Sequence, residues 1–127
     1  MKSKKLKLIL TVCIGLTLTI IATAGVYVFD PPSPPRALQI DDITETSCKI
    51  IFLHPSNDGG SRVTGYIIEV KDAYFDLSWR PYALTPSTKY LITGRKPGSF
   101  MKIQVRAQNV AGLSDPARIV VKFPEVN

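Results

Sequence analysis

From residue 36 onward, apolar and polar side chains alternate with a period of two. In Ser47–Leu53 (SCKIIFL), Cys48, Ile50 and Phe52 share one face, and Lys49, Ile51 and Leu53 share the other. Tyr66, Ile68 and Val70 lie opposite Ile67 and Glu69, and Tyr90 with Ile92 makes a shorter pair. Met101, Ile103, Val105 and Ala107 face one way, Lys102, Gln104, Arg106 and Gln108 face water, and Ile119 with Val121 closes the series. Successive residues of a strand point to opposite faces, so this alternation predicts half-buried strands. Turn-forming residues interrupt it about every ten positions, the spacing of an all-β sandwich or barrel. The 97 residues from Pro31 onward suit a seven-stranded antiparallel sandwich. The expected core is Cys48, Ile50, Phe52, Tyr66, Ile68, Tyr90, Ile92, Met101, Ile103 and Val105.

The N-terminus follows a different pattern. Leu8 to Phe29 contains no charged residue, and Lys2, Lys4, Lys5 and Lys7 precede it. A helix of that length spans the roughly 30 Å bilayer core. The lysines should stay in the cytosol, which would send the C-terminal part across the membrane. Two readings fit: an anchor that stays, or a signal peptide cut after Ala22-Thr23-Ala24, before Gly25. The apolar run continues through Val26–Phe29, which favours the anchor over the secreted form. The expected organisation is a basic tail with its apolar helix (1–29), a proline-rich linker (30–35), one domain (36–124) and a short tail (125–127). Asp30-Pro31-Pro32-Ser33-Pro34-Pro35 reads as a stiff polyproline spacer.

Charge adds little about partners. The formal net charge is +6, but from Pro31 onward twelve Lys/Arg stand against nine Asp/Glu. Arg95, Lys96 and Lys102 read as a solvated edge, so no nucleic-acid partner is expected. The lysine tail is explained by topology and anionic lipid heads. Cys13 and Cys48 lie in different regions and cannot form an intradomain bridge, so Cys48 should be buried. No cysteine–histidine grouping has metal-ligand spacing, and no cofactor is expected. His54 is the sole histidine, with Asp58 its one partner nearby in sequence and Ser56 and Ser61 close by. A catalytic triad inside one turn is geometrically unsuitable, so no enzyme is expected.

Asp58-Gly59-Gly60 lies between two strands and is not followed by a helix or a Lys-Ser/Thr pair, so it does not read as a phosphate loop. The glycines supply positive φ where the chain reverses, and Asn57 and Asp58 can bond their own backbone.

Several segments together resemble a fibronectin type III domain. Pro31–Val70 has the family's opening prolines, second strand, Asp-Gly-Gly turn and Gly-Tyr-x-x-Glu strand. Trp79 stands where members often carry a tryptophan, TKYLITG resembles a further strand, and KPGSFMKIQVRAQNVAGLSDP resembles the passage into the last strand. The turn and the final passage are especially similar to domains of titin- and twitchin-type muscle proteins. The resemblance implies an all-β, immunoglobulin-like sandwich behind the N-terminal apolar helix. Phe52 replaces a usual tryptophan, Arg95 a usual leucine, and Met101 the usual corner tyrosine. These departures imply modest stability and a mobile corner around Arg95, with its side chain exposed or tucked back.

The resemblance implies protein recognition through strand edges and loop tips. The Arg-Gly-Asp tripeptide that serves integrin binding in fibronectin is absent from Asn109–Asp115, and no Asn-x-Ser/Thr sequon occurs. The candidate binding surface is Asn57, Asp58, Arg62, Tyr74, Phe75, Trp79, Arg80, Asn109 and Leu113. Structurally, Trp79 could instead pack on the sheet under Arg80 and Arg106. The leading expectation is a domain displayed outside the membrane or secreted, with an unidentified protein partner. The alternative is a structural or docking domain of an intracellular muscle-type array. The oligomeric state is open.

Overall fold

In a computed structural model, residues 28–72 and 78–127 are described. They form β1 (Arg36–Ile43), β2 (Cys48–Leu53), β3 (Gly65–Asp72), β4 (Arg80–Thr85), β5 (Lys89–Ile92), β6 (Phe100–Asn109), β7 (Gly112–Leu113) and β8 (Ala117–Lys122). One antiparallel sheet has the order β1-β2-β5; the other runs β4-β3-β6, with β7 and β8 both paired to β6. The expected N-terminal helix and the membrane-anchor or signal segment lie outside the described residues, apart from their last positions. Among the described residues no helix is long and apolar enough to cross a membrane.

Among the described residues there are eight strand segments where the periodicity predicts seven, because the last strand is split. β7 pairs Leu113 with Gln108, and β8 resumes with Ala117 opposite Val105. Between them Ser114 N–H donates to Ala107 O at 2.8 Å, and Ser114 Oγ accepts the Ala107 N–H at 2.9 Å. A side-chain oxygen thus replaces a ladder carbonyl, and Pro116, which has no N–H, stands two residues after Ser114.

The core lies between the sheets. Cys48, Ile50, Phe52, Tyr66, Ile68, Ile92, Met101, Ile103 and Val105 are buried. Tyr90 is only partly buried, its ring edge-on to Tyr82 with centroids 6.1 Å apart. Val70, Ala107, Val121 and Phe123 complete the cluster. Phe52 meets the Tyr66 ring edge-on, with the centroids 4.8 Å apart. Burial pushes the Cys48 thiol up to about 11, with the Arg95 guanidinium opposing the shift. Arg95 is tucked back: its side chain is partly buried and its Nε is enclosed without a hydrogen-bond partner. Its backbone N–H donates to Thr46 O at 2.9 Å, and Gly98 N–H to Pro124 O at 3.0 Å, so the corner's backbone is bonded on both sides.

The proline-rich segment does not stand clear as a spacer. Pro32 and Pro35 are buried, Asp30 N–H donates to Gly59 O at 3.0 Å, and Ser33 N–H donates to Asn57 O at 2.8 Å. The backbone carbonyls of the β2–β3 loop offer acceptors that a polyproline strand can use at its non-proline positions.

Candidate functional site

The sequence points to the loop pole, where the β2–β3 and β6–β7 loops meet. Gly59 and Gly60 have φ of 79° and 95°. Asn57 Oδ1 accepts the Gly59 N–H at 2.8 Å, and Asp58 Oδ1 accepts the Gly60 N–H at 2.9 Å. The glycine pair is therefore the tight turn that the spacing predicts. A Cβ on Gly59 would fall 1.9 Å from the Asp30 carbonyl oxygen, so glycine is also what lets the N-terminal segment dock.

Asn109 organises this pole and is not a presented contact. It is 4 % exposed, because its carboxamide faces inward to a cluster of backbone groups. Its Nδ2 donates to Asp30 O and Asp58 O, each at 2.7 Å. Its Oδ1 accepts the Ala111 N–H at 2.8 Å and the Gly112 N–H at 3.2 Å. One buried side chain ties together the N-terminal segment and both loops. Asn57, Asp58 and Arg62 remain exposed, and Leu113 is 42 % exposed. His54 does not pair with Asp58: its Nδ1 lies 2.6 Å from the Tyr66 hydroxyl.

A second surface is the outer face of the larger sheet. Strand register sets its grid. One row crosses from Glu69 on β3 to Gln104 on β6 and Arg118 on β8. The next crosses from Lys71 to Lys102 and Val120, and beyond it Lys122 lies opposite Phe100. The first row is hydrogen-bonded throughout: Gln104 Nε2 donates to Glu69 Oε1 at 2.7 Å, and Arg118 Nε donates to Gln104 Oε1 at 2.8 Å. Arg106 Nε donates to the same Glu69 oxygen at 3.2 Å, a half-buried ion pair.

Trp79 lies across this grid. Lys71 Nζ is 5.0 Å from its ring centroid and Arg118 Cζ is 5.6 Å away. These cations stand on the strands flanking β6, so the indole bridges over β6. This accounts for Gln104, an outward position that is only 1 % exposed. Trp79 does pack on its sheet, but under Lys71 and Arg118, while Arg106 serves Glu69. Each cation over the ring contributes about 0.5–1 kcal/mol at such exposure. Beside the indole, Lys71, Lys102, Arg118 and Val120 line a groove of about 410 Å³.

Lys71 and Lys102 are direct cross-strand partners, a like-charge arrangement that disfavours the sheet. Among the described residues no carboxylate is within ion-pairing distance of Lys71, Lys102, Arg118 or Lys122. Arg80 is exposed at the start of β4; Tyr74 and Phe75 lie outside the described residues. Sequence reasoning missed Lys71, Arg118 and Lys122. Their signal was the polar half of the alternation that located the core: Arg118, Val120 and Lys122 interleave with Ile119 and Val121.

The family model for the fibronectin type III domain matches residues 33–123. The chain belongs to the fibronectin type III family. Contactin-4 of Rattus norvegicus is 29% identical over 103 residues, covering 76% of this chain and 10% of its own length. The fast-type myosin-binding protein C of Gallus gallus is 32% identical over 98 residues, covering 76% and 9%. Among solved structures, the twitchin kinase region of C. elegans superposes with a TM-score of 0.69 at 33% identity, covering 75% of this chain and 17% of that one. This fibronectin type III chain thus spans about a tenth of the curated relatives it matches.

Proposed function

We propose that this fibronectin type III domain is a non-enzymatic protein-recognition module working through the outer face of its larger sheet, displayed outside a membrane by the N-terminal segment. The carrying observation is the indole of Trp79 held between Lys71 and Arg118 above a satisfied polar row. An aromatic anchor with cations around it is the composition that interfaces favour. The non-enzymatic reading is supported by the sole histidine being bonded to the Tyr66 phenol and by the burial of Cys48. Display outside a membrane rests on the charge-free run Leu8–Phe29 behind four lysines. Cleavage after Ala24 would release the same domain. A second reading, a docking domain in an intracellular muscle-type array, draws on the likeness to myosin-binding protein C and the twitchin kinase region.

The test places a photo-crosslinking amino acid at Val120, and separately at Leu91 on the opposite sheet, in the full chain expressed in eukaryotic cells. The expected result is a discrete protein adduct from Val120 and none from Leu91. No adduct from Val120, or equal adducts from both, would overturn recognition through this face. Fractionation of the same cells decides location. Uncut chain resisting carbonate extraction supports the anchor, chain in the medium starting at Gly25 supports secretion, and uncut chain in the cytosol supports the array reading.

A further inference from the structure

We infer that the outer face of β8 and β6 binds an extended acidic segment of a protein partner, in which two carboxylate side chains flank an aliphatic one. The inference deepens the recognition reading above and rests on it. Arg118, Val120 and Lys122 are the outward residues of β8, and all three are exposed. Alternate residues on one face of a strand lie about 7 Å apart, which puts Arg118 and Lys122 about 14 Å apart with Val120 midway. An extended peptide repeats its side chains at the same interval. A carboxylate at one position, an aliphatic group two residues on and a second carboxylate after two more would fall on Arg118, Val120 and Lys122 in register.

The surroundings reinforce that order. Lys102 is the cross-strand partner of Val120, and Lys71 is the partner of Lys102, so positive charge continues across the sheet beside the aliphatic position. Glu69, the carboxylate on the neighbouring row, is engaged by Gln104 and Arg106 and does not neutralise this row. A face that keeps two lysines opposite one another attracts anions, and a bound carboxylate relieves the repulsion between them. Val120 is 57 % exposed. An aliphatic group wedged between cations has no use for a purely polyanionic ligand such as a sulfated sugar, whereas a peptide can cover it and meet the charges together.

Trp79 is the chain's single tryptophan and contacts Lys71 and Arg118, one in each of the two adjacent rows, so its emission reports the site. The experiment titrates the full chain, in neutral detergent micelles, with a synthetic peptide containing Glu-Ser-Val-Ser-Glu. A saturable change in Trp79 emission is expected, weakening as salt is raised. Lys102→Glu and, separately, Arg118→Glu should each weaken binding about tenfold or more, while Leu91→Glu leaves it unchanged. Thermal melts of each variant check that the fold persists. The inference is overturned if the peptide gives no change, if a Gln-Ser-Val-Ser-Gln peptide binds equally well, or if a heparin oligosaccharide binds while the acidic peptide does not. A protein adduct at Val120 in cells without peptide binding would leave the recognition reading standing and remove only the acidic-segment inference.

Discussion

The loop pole and the outer face of the larger sheet are both polar surfaces of one domain, yet they spend their polar groups differently. At the pole, Asn109 uses its donors and acceptors on Asp30, Asp58, Ala111 and Gly112, and Asn57 and Asp58 bond the turn they belong to. On the sheet face, Lys102 and Lys122 have no carboxylate partner among the described residues, and Lys71 and Arg118 are steered by an indole and a carboxamide. A surface whose hydrogen bonds close on themselves holds the chain in shape. A surface that keeps charge unneutralised in an ordered array has interaction energy left for a partner.

Four substitutions break or sharpen that contrast. Asn109→Ala should have the largest effect, because it leaves several backbone groups unpaired at a buried site. A loss of about 2–4 kcal/mol in chemical denaturation is expected, with acidic-peptide binding by the folded fraction unchanged. Gly59→Ala should cost about 1–3 kcal/mol, since φ of 79° and the Asp30 carbonyl both oppose a Cβ. Its particular signature is faster amide exchange at Asp30 and Ser33, whose N–H groups dock the N-terminal segment. Lys102→Glu should behave oppositely: stability rises by about 0.2–1 kcal/mol as the repulsion opposite Lys71 becomes attraction, while peptide affinity falls. Leu91→Ser, on the other sheet's outer face at 55 % exposure, should move stability by less than about 0.5 kcal/mol and leave binding unchanged.

The strands and core were legible because period-two alternation is a local signal that burial then obeys. Cys48, Ile50 and Phe52 fall on one face in the sequence and are buried together in the fold. The split in the last strand was less legible, since it depends on Ser114 Oγ capturing an N–H seven residues back in the chain. The pole was visible as a turn, but the one residue expected there as a contact that proves buried is Asn109; Asn57, Asp58, Arg62 and Leu113 stay exposed. Nothing local in Asn109 tells that Asp30, 79 residues earlier, comes to lie against its carboxamide. The cationic face was hidden for the same reason. Lys71, Lys102 and Arg118 lie far apart in sequence, and only the β3–β6–β8 register sets them side by side. Trp79 stood out by residue type, but the cations expected over it were Arg80 and Arg106, whereas the strand register brings Lys71 and Arg118 to the ring.

The most direct test of the contrast is an amide chemical-shift map of the full chain titrated with the Glu-Ser-Val-Ser-Glu peptide. Shifts concentrated at Lys102, Arg118, Val120 and Lys122 and at the Trp79 indole, with Gly59, Ala111 and Gly112 unmoved, are the predicted result. Shifts centred on Gly59, Ala111 and Gly112 with the sheet face silent would contradict the account and return recognition to the loops.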